Sequence, residues 1–130
     1  MGNKNNKKNV IYWHPKLNID IDDLVGKSGL AEGYYENEVK YLRYLFKNGK
    51  STIRRHKKFE SLKNSELYAM KIMIEQNIRV LFKIHEEENI VYFVFVHAFV
   101  EKNKKDYRKA IRIANNRLVE KGVNYERKRF

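Results

Sequence analysis

LYAMKIMI (67–74), IRVLFKI (78–84) and IVYFVFVHAF (90–99) decide how this chain is read. The runs are separated by Glu75-Gln76-Asn77 and by His85-Glu86-Glu87-Glu88-Asn89. Short runs rich in Ile, Val, Tyr and Phe, bounded by Asn-containing breaks, predict strands joined by hairpins. Successive side chains of a strand point to opposite faces, so parity sorts them. One face is expected to carry Tyr68, Met70, Ile72 and Ile74, then Ile78, Val80, Phe82 and Ile84, then Ile90, Tyr92, Val94 and Val96. The other takes Lys71, Met73, Arg79, Leu81, Lys83, Phe93, Phe95 and His97. With Ile74 opposite Ile78 and Ile84 opposite Ile90, the polar groups Lys71, Arg79 and His97 share one face. That face is the candidate site; a bulge in either hairpin would reverse the parity beyond it.

Working outward on the N-terminal side, residues 50–66 (KSTIRRHKKFESLKNSE) read as a polar connector. Its basic cluster, Arg54-Arg55-His56-Lys57-Lys58, is either a solvated loop or a phosphate contact, and Phe59 and Leu62 are expected to tack it to the body. From Leu30 to Asn48 the pattern is helical, with Tyr35, Val39, Leu42 and Phe46 as the buried stripe, widened by Leu45. Tyr35 is expected in the core and Tyr34, Tyr41 and Tyr44 half-exposed, although the four together also suggest a stacking surface. Gly49 stands where a left-handed helix cap belongs. Ser28 or Glu32 can open this helix, Gly26 and Gly29 break the chain before it, and Ile19 to Val25 forms one or two helical turns. Val10 to Trp13 is a first strand, ended at His14-Pro15 because Pro15 has no N–H for a ladder.

On the C-terminal side, Asn103 reads as an N-cap with Asp106 three residues on, opening a helix with Tyr107, Ile111, Ala114 and Leu118 as its apolar stripe. Gly122 stops it. The expected fold is therefore α+β: an N-terminal strand and helices, a three-stranded antiparallel meander, and a C-terminal helix. Residues 10–122 are assigned to one domain, 1–9 to a flexible basic N-terminus and 123–130 to a basic tail.

The totals narrow the function. A chain of 130 residues, 42% hydrophobic, buries roughly two-thirds of its unfolded surface as one domain. It has no cysteine, which excludes disulfides and thiol chemistry, and its four histidines lack ligand spacing, so no metal or cofactor is expected. No long uncharged apolar run, signal-peptide core or myristoylation signal is present, and a cytoplasmic location is expected. The net charge of +12 is uneven: residues 67–100 hold 3 Lys/Arg against 4 Asp/Glu, whereas 1–66 hold 14 against 8 and 101–130 hold 11 against 4. A near-neutral sheet between basic flanks suits a polyanion, nucleic acid first and an acidic protein second.

The strings KFESLKNSELYAMKI, IRVLFKI and IVYFVFVHAFVEKNKKDYRKAIRIANNRL, in this element order, resemble the HigB-like branch of the RelE/ParE toxin superfamily. The resemblance runs from Leu30 to Leu118 and is clearest from Leu62 onward. It implies a small basic toxin with a cognate antitoxin as partner. It further implies either cleavage of mRNA on the ribosome or, in the ParE branch, poisoning of gyrase. Arg79 matches the arginine that opens the second meander strand, and Lys71 the basic residue of the strand before it. His97-Ala98-Phe99 stands where the family has His-Gly-Phe. Tyr107, with Lys102, Lys104 and Lys105, falls in the region of late catalytic residues, where Glu101 to Tyr107 replaces a Lys-Lys-Thr-x-Lys-Thr-Pro string.

Metal-independent cleavage by 2′-hydroxyl attack needs a base, cations on the scissile phosphate and an acid for the leaving oxygen. Arg79 suits the phosphate, since a guanidinium is always charged and holds two oxygens at once. Lys71 can share that charge, His97 titrates near neutrality, and Tyr107 needs neighbouring cations to act as a base. The catalytic candidates are Arg79, His97, Lys71 and Tyr107; the RNA-binding candidates are Lys102, Lys104, Lys105, Arg108, Arg54 and Arg55. Each has a plainer reading: His97 as a hydrogen-bonded core or rim residue, Arg79 as the partner of a glutamate from the antitoxin or from 86–88, Tyr107 as part of its helix's buried stripe. A non-catalytic nucleic-acid-binding module is the third functional class.

Overall fold

The computed structural model describes residues 7–26 and 31–130. In chain order these form β1 (Lys8–Trp13), α1 (Leu17–Val25), α2 (Ala31–Asn48), α3 (Ser51–Arg55), β2 (Phe59–Ser61), β3 (Leu67–Met73), β4 (Asn77–Glu87), β5 (Ile90–Val100), α4 (Lys104–Val119) and β6 (Glu126–Lys128). The fold is mixed α+β. One six-stranded sheet runs β2-β3-β4-β5-β1-β6, antiparallel throughout except that β1 lies parallel to β5. The three helices between β1 and the meander belong to the crossover that a parallel pair requires. No described helix is long and apolar enough to cross a membrane.

Helices cover both faces. Trp13, Leu17, Ile21, Val25, Tyr34, Leu42 and Leu45 pack with Met70, Ile72, Ile78, Val80, Phe82, Phe93 and Phe95 in the larger core. Ala110 and Ala114 of α4 pack with Leu67, Ala69, Leu81, Val96 and Phe99 in a smaller one. The capping box at the start of α4 is present as expected: the Asn103 side chain accepts from Lys105 N–H, and Asp106 accepts from Asn103 N–H. Gly49 closes α2 at φ +63°, its N–H bonded to Leu45 O.

Four expectations are corrected. First, β4 runs on to Glu87 and turns through Glu88-Asn89, so Ile84 pairs with Phe93 rather than Ile90. That odd shift flips the outer half of β5: Phe93 and Phe95 enter the larger core, and Val94 and Val96 pack toward α4. A bulge where Leu81 and Phe82 face 95–97 flips the parity back, so Arg79 meets Phe99 and Leu81 meets His97. In the other hairpin Ile78 pairs with Ile72 rather than Ile74, because Met73 pairs with Asn77 and the turn takes Ile74 to Gln76; this even shift keeps the faces and sets Lys71 directly opposite Arg79. Lys71, Arg79 and His97 thus do share a face, with the two odd shifts in β5 cancelling.

Second, the buried stripe of α2 is displaced by one residue: Tyr34, Glu38, Tyr41 and Leu45 face the core beside Leu42, while Val39 is 37% exposed. A glutamate among the buried positions hid that stripe from a hydrophobic count. Third, residues 123–130 are not a free tail, because β6 pairs with β1 and the Phe130 ring sits 5.7 Å from that of Phe46. Fourth, the 50–66 connector contains α3 and β2, with Phe59 and Leu62 buried as expected. At the N-terminus, Lys8 and Asn9 belong to β1; residues 1–6, and Ser28 and Gly29, lie outside the described residues.

Candidate functional site

Pairing of Lys71 with Arg79 across β3 and β4 sets two cations side by side on the face beneath α4. The first turn of α4 carries Tyr107 over them, and Glu60 of β2 and Glu101, just after β5, complete the group. Arg79 Nη2 forms an ion pair with Glu101 Oε2 at 2.7 Å, and Arg79 Nε donates to the Tyr107 hydroxyl at 3.0 Å. The hydroxyl lies 2.9 Å from Glu60 Oε1, to which it donates, and Lys71 Nζ stands 3.9 Å from Glu60 Oε2. Among the described residues Arg79 Nη1 is the guanidinium's least well satisfied donor, with only Met73 Sδ at 3.5 Å and Ile78 O at 3.4 Å.

Access falls off sharply from rim to base. The Arg79 side chain is 8% exposed, against 26% for Lys71, 28% for Glu101 and 37% for Glu60. Burial pushes the Tyr107 phenol up to about 12, with Arg79 opposing and Glu60 reinforcing the rise. Near neutral pH this hydroxyl is protonated, which fits a proton donor rather than a base, since the neighbouring Arg79 does not outweigh burial.

His97 goes elsewhere. β1 ends opposite Phe95, and α1 passes the open stretch of β5 beyond it. There His97 Nδ1 lies 3.0 Å from Asp20 Oδ2, and Arg117 of α4 grips both oxygens of the same carboxylate while donating to Val96 O at 2.7 Å. Burial alone would raise the Asp20 carboxyl, but bonds from His97 and Arg117 outweigh it and hold it below its usual value. The Phe99 ring stands between the two groups, parallel to His97 at 6.3 Å and edge-on to Tyr107 at 5.2 Å. Lys71, Arg79 and Tyr107 are therefore brought together, and His97 stands apart from them.

Lys102, Lys104, Lys105 and Arg108 are exposed on the segment that carries Glu101 and Tyr107. Arg54 and Arg55 are exposed on α3, on the other side of the sheet. Sequence reasoning missed Glu60, Glu101, Asp20 and Arg117. Glu101 was the findable one: with the true β4–β5 register its N–H bonds Asn77 O, beside the start of Arg79's strand. No protein-family model, curated protein or solved structure matches the chain.

Proposed function

We propose that this chain is a RelE-like toxin that cuts messenger RNA on the ribosome and is held in check by a cognate antitoxin in the cytoplasm. The observation that carries the reading is the meeting of Lys71, Arg79 and Tyr107 in one half-open cluster under α4. Its chemical sense follows from the groups present. A phosphate oxygen can engage Arg79 Nη1, the poorly satisfied donor beside Met73, while Glu101 keeps Nη2, and Lys71 supplies the second positive charge at the rim. A carboxylate of the cluster, Glu60 or Glu101, takes the proton of the 2′-hydroxyl; the 2′-oxygen bonds to phosphorus and the 5′-oxygen leaves, taking the phenolic proton of Tyr107. Selection of RNA over DNA follows from the attacking hydroxyl. Lys102, Lys104, Lys105 and Arg108 hold the strand by phosphate contact, and His97 supports the cluster only through Phe99.

One observation favours a second reading. Arg79 and His97 are both buried against carboxylates, as structural ion pairs are, which suits a nucleic-acid-binding module without chemistry. Induced expression followed by mapping of mRNA 5′ ends separates the two. The toxin reading expects new cuts that Arg79→Ala reduces at least about a hundredfold, a typical loss for a group that stabilises developing charge. Binding that weakens steeply with salt and never yields cuts supports the module. DNA breaks with intact mRNA point to a ParE-like gyrase poison.

A further inference from the structure

On the opposite side of the sheet from Arg79, the corner between α2 and α3 faces the outer ends of β4 and β5 across a half-open cavity of about 670 Å³. Lys7, Lys47, Lys50 and Arg54 line it, drawn from β1's leading edge, the end of α2 and the α3 turn, with Glu86 the one acid among the described residues of the lining. Tyr68, stacked on Phe82 at 5.5 Å, adds an aromatic wall. The corner is pinned: Asn9 Nδ2 donates to Phe46 O at 3.1 Å, and its side chain fills the space over Gly49, where a Cβ would meet Asn9 Oδ1 at 2.7 Å.

Glu86 reaches into this ring of cations. Lys7 Nζ lies 3.4 Å from its Oε1 and Lys50 Nζ 3.2 Å from its Oε2. The hydrogen bond from Lys50 is the main reason its carboxyl sits below the usual range. Among the described residues Lys47 and Arg54 have no ion-pair partner, so the cavity keeps a surplus of positive charge.

We propose that this cavity binds a nucleoside phosphate, with the base against Tyr68 and the phosphate in the place that Glu86's carboxylate holds between Lys7 and Lys50. The volume falls within the range of small-ligand sites, lysines serve phosphates as point charges, and an aromatic ring accepts any base by stacking. The ligand is either a free nucleotide or one unit of an RNA strand. The inference stands apart from the Arg79 chemistry, since the two sites are on opposite faces.

Calorimetric titration of the full chain at low salt, with AMP, hexa-adenylate and hexaglutamate as probes, tests it. Glu86→Gln removes the internal competitor and is expected to tighten AMP about two- to fivefold; Lys50→Ala is expected to weaken it by a similar factor, as loss of one exposed charge contact does. Arg79→Ala is expected to change neither. A gain for both AMP and hexa-adenylate assigns a free nucleotide, and a gain for hexa-adenylate alone assigns an RNA strand. A gain for hexaglutamate alone, or no response to Glu86→Gln and Lys50→Ala, overturns the proposal. Thermal melts of each variant confirm that the exposed substitutions leave the fold intact.

Discussion

Beneath α1 and α2 the sheet meets Leu17, Ile21, Leu42 and Leu45, and the Phe82 ring stacks on Phe95 at 4.6 Å. Beneath α4 it meets two buried alanines, with Ile111 and Leu118 partly buried beside them, and the face also carries Arg79 with Glu101 and Tyr107, and Arg117 with Asp20 and His97. The first face buries large apolar surface, the non-directional source of folding free energy. The second buries charges, whose attraction is largely offset by desolvation but whose geometry is demanding. A small helix seat and fixed ionic groups make a poor core and a well-defined site. The difference divides the labour: one face keeps the sheet folded, and the other holds polar groups at set distances.

Mutations can break or sharpen that division. The largest effect is expected from Phe82→Ala, about 3–5 kcal/mol in urea unfolding, because the ring is fully buried among Phe59, Phe93 and Phe95. Leu81→Ala, on the thinner side, is expected to cost about 2–3 kcal/mol; a larger loss there than at Phe82 would break the comparison.

The two faces are next expected to differ in the sign of their pH dependence. Burial raises the Glu38 carboxyl from 4.5 to about 7. The folded state therefore binds this proton more tightly than the unfolded chain, and stability should fall as pH rises from about 4.5 to about 7, by about 3 kcal/mol in all. Glu38→Gln should remove that slope and stabilise the protein at pH 8; an unchanged melting profile would count against a sealed carboxyl. Asp20 works in reverse. With its folded value below 3.8, its contribution is complete above that pH and is lost as acid protonates it. Asp20→Asn should cost about 2 kcal/mol at pH 7 and flatten the acid limb of the stability curve. The smallest effect is expected from Asn103→Ala, about 1 kcal/mol, with faster amide exchange confined to α4.

Much of this was legible from residues whose signal is local. Alternation in 67–99 marks the three strands, Asn103 and Asp106 mark a helix start, and Gly49 marks a helix end. What escaped depends on distant partners. The β4–β5 register hangs on a two-residue turn and a bulge, neither of which alternation reveals, because a shift of one residue preserves the pattern while exchanging the faces. β6 is a three-residue basic segment that is a strand only because β1 offers it an edge. At the site, alternation places Lys71 and Arg79 on one face of their own hairpin, but their direct pairing needs the register that Ile72 opposite Ile78 sets. Glu60, Asp20 and Arg117 come from other elements, and nothing in the local sequence of a charged residue says which cation it will meet.

The proposed cleavage requires Arg79, at the base of the acid-rimmed cluster, to hold the phosphate of the RNA being cut. Purified ribosomes carrying a defined mRNA test it most directly, with wild-type protein, Arg79→Ala and Tyr107→Phe compared after each is shown to melt as a folded protein. Cuts by the wild type are expected, with their near-disappearance in Arg79→Ala and a marked slowing in Tyr107→Phe. Cutting by Arg79→Ala at the wild-type rate, or intact mRNA in every reaction, would contradict it.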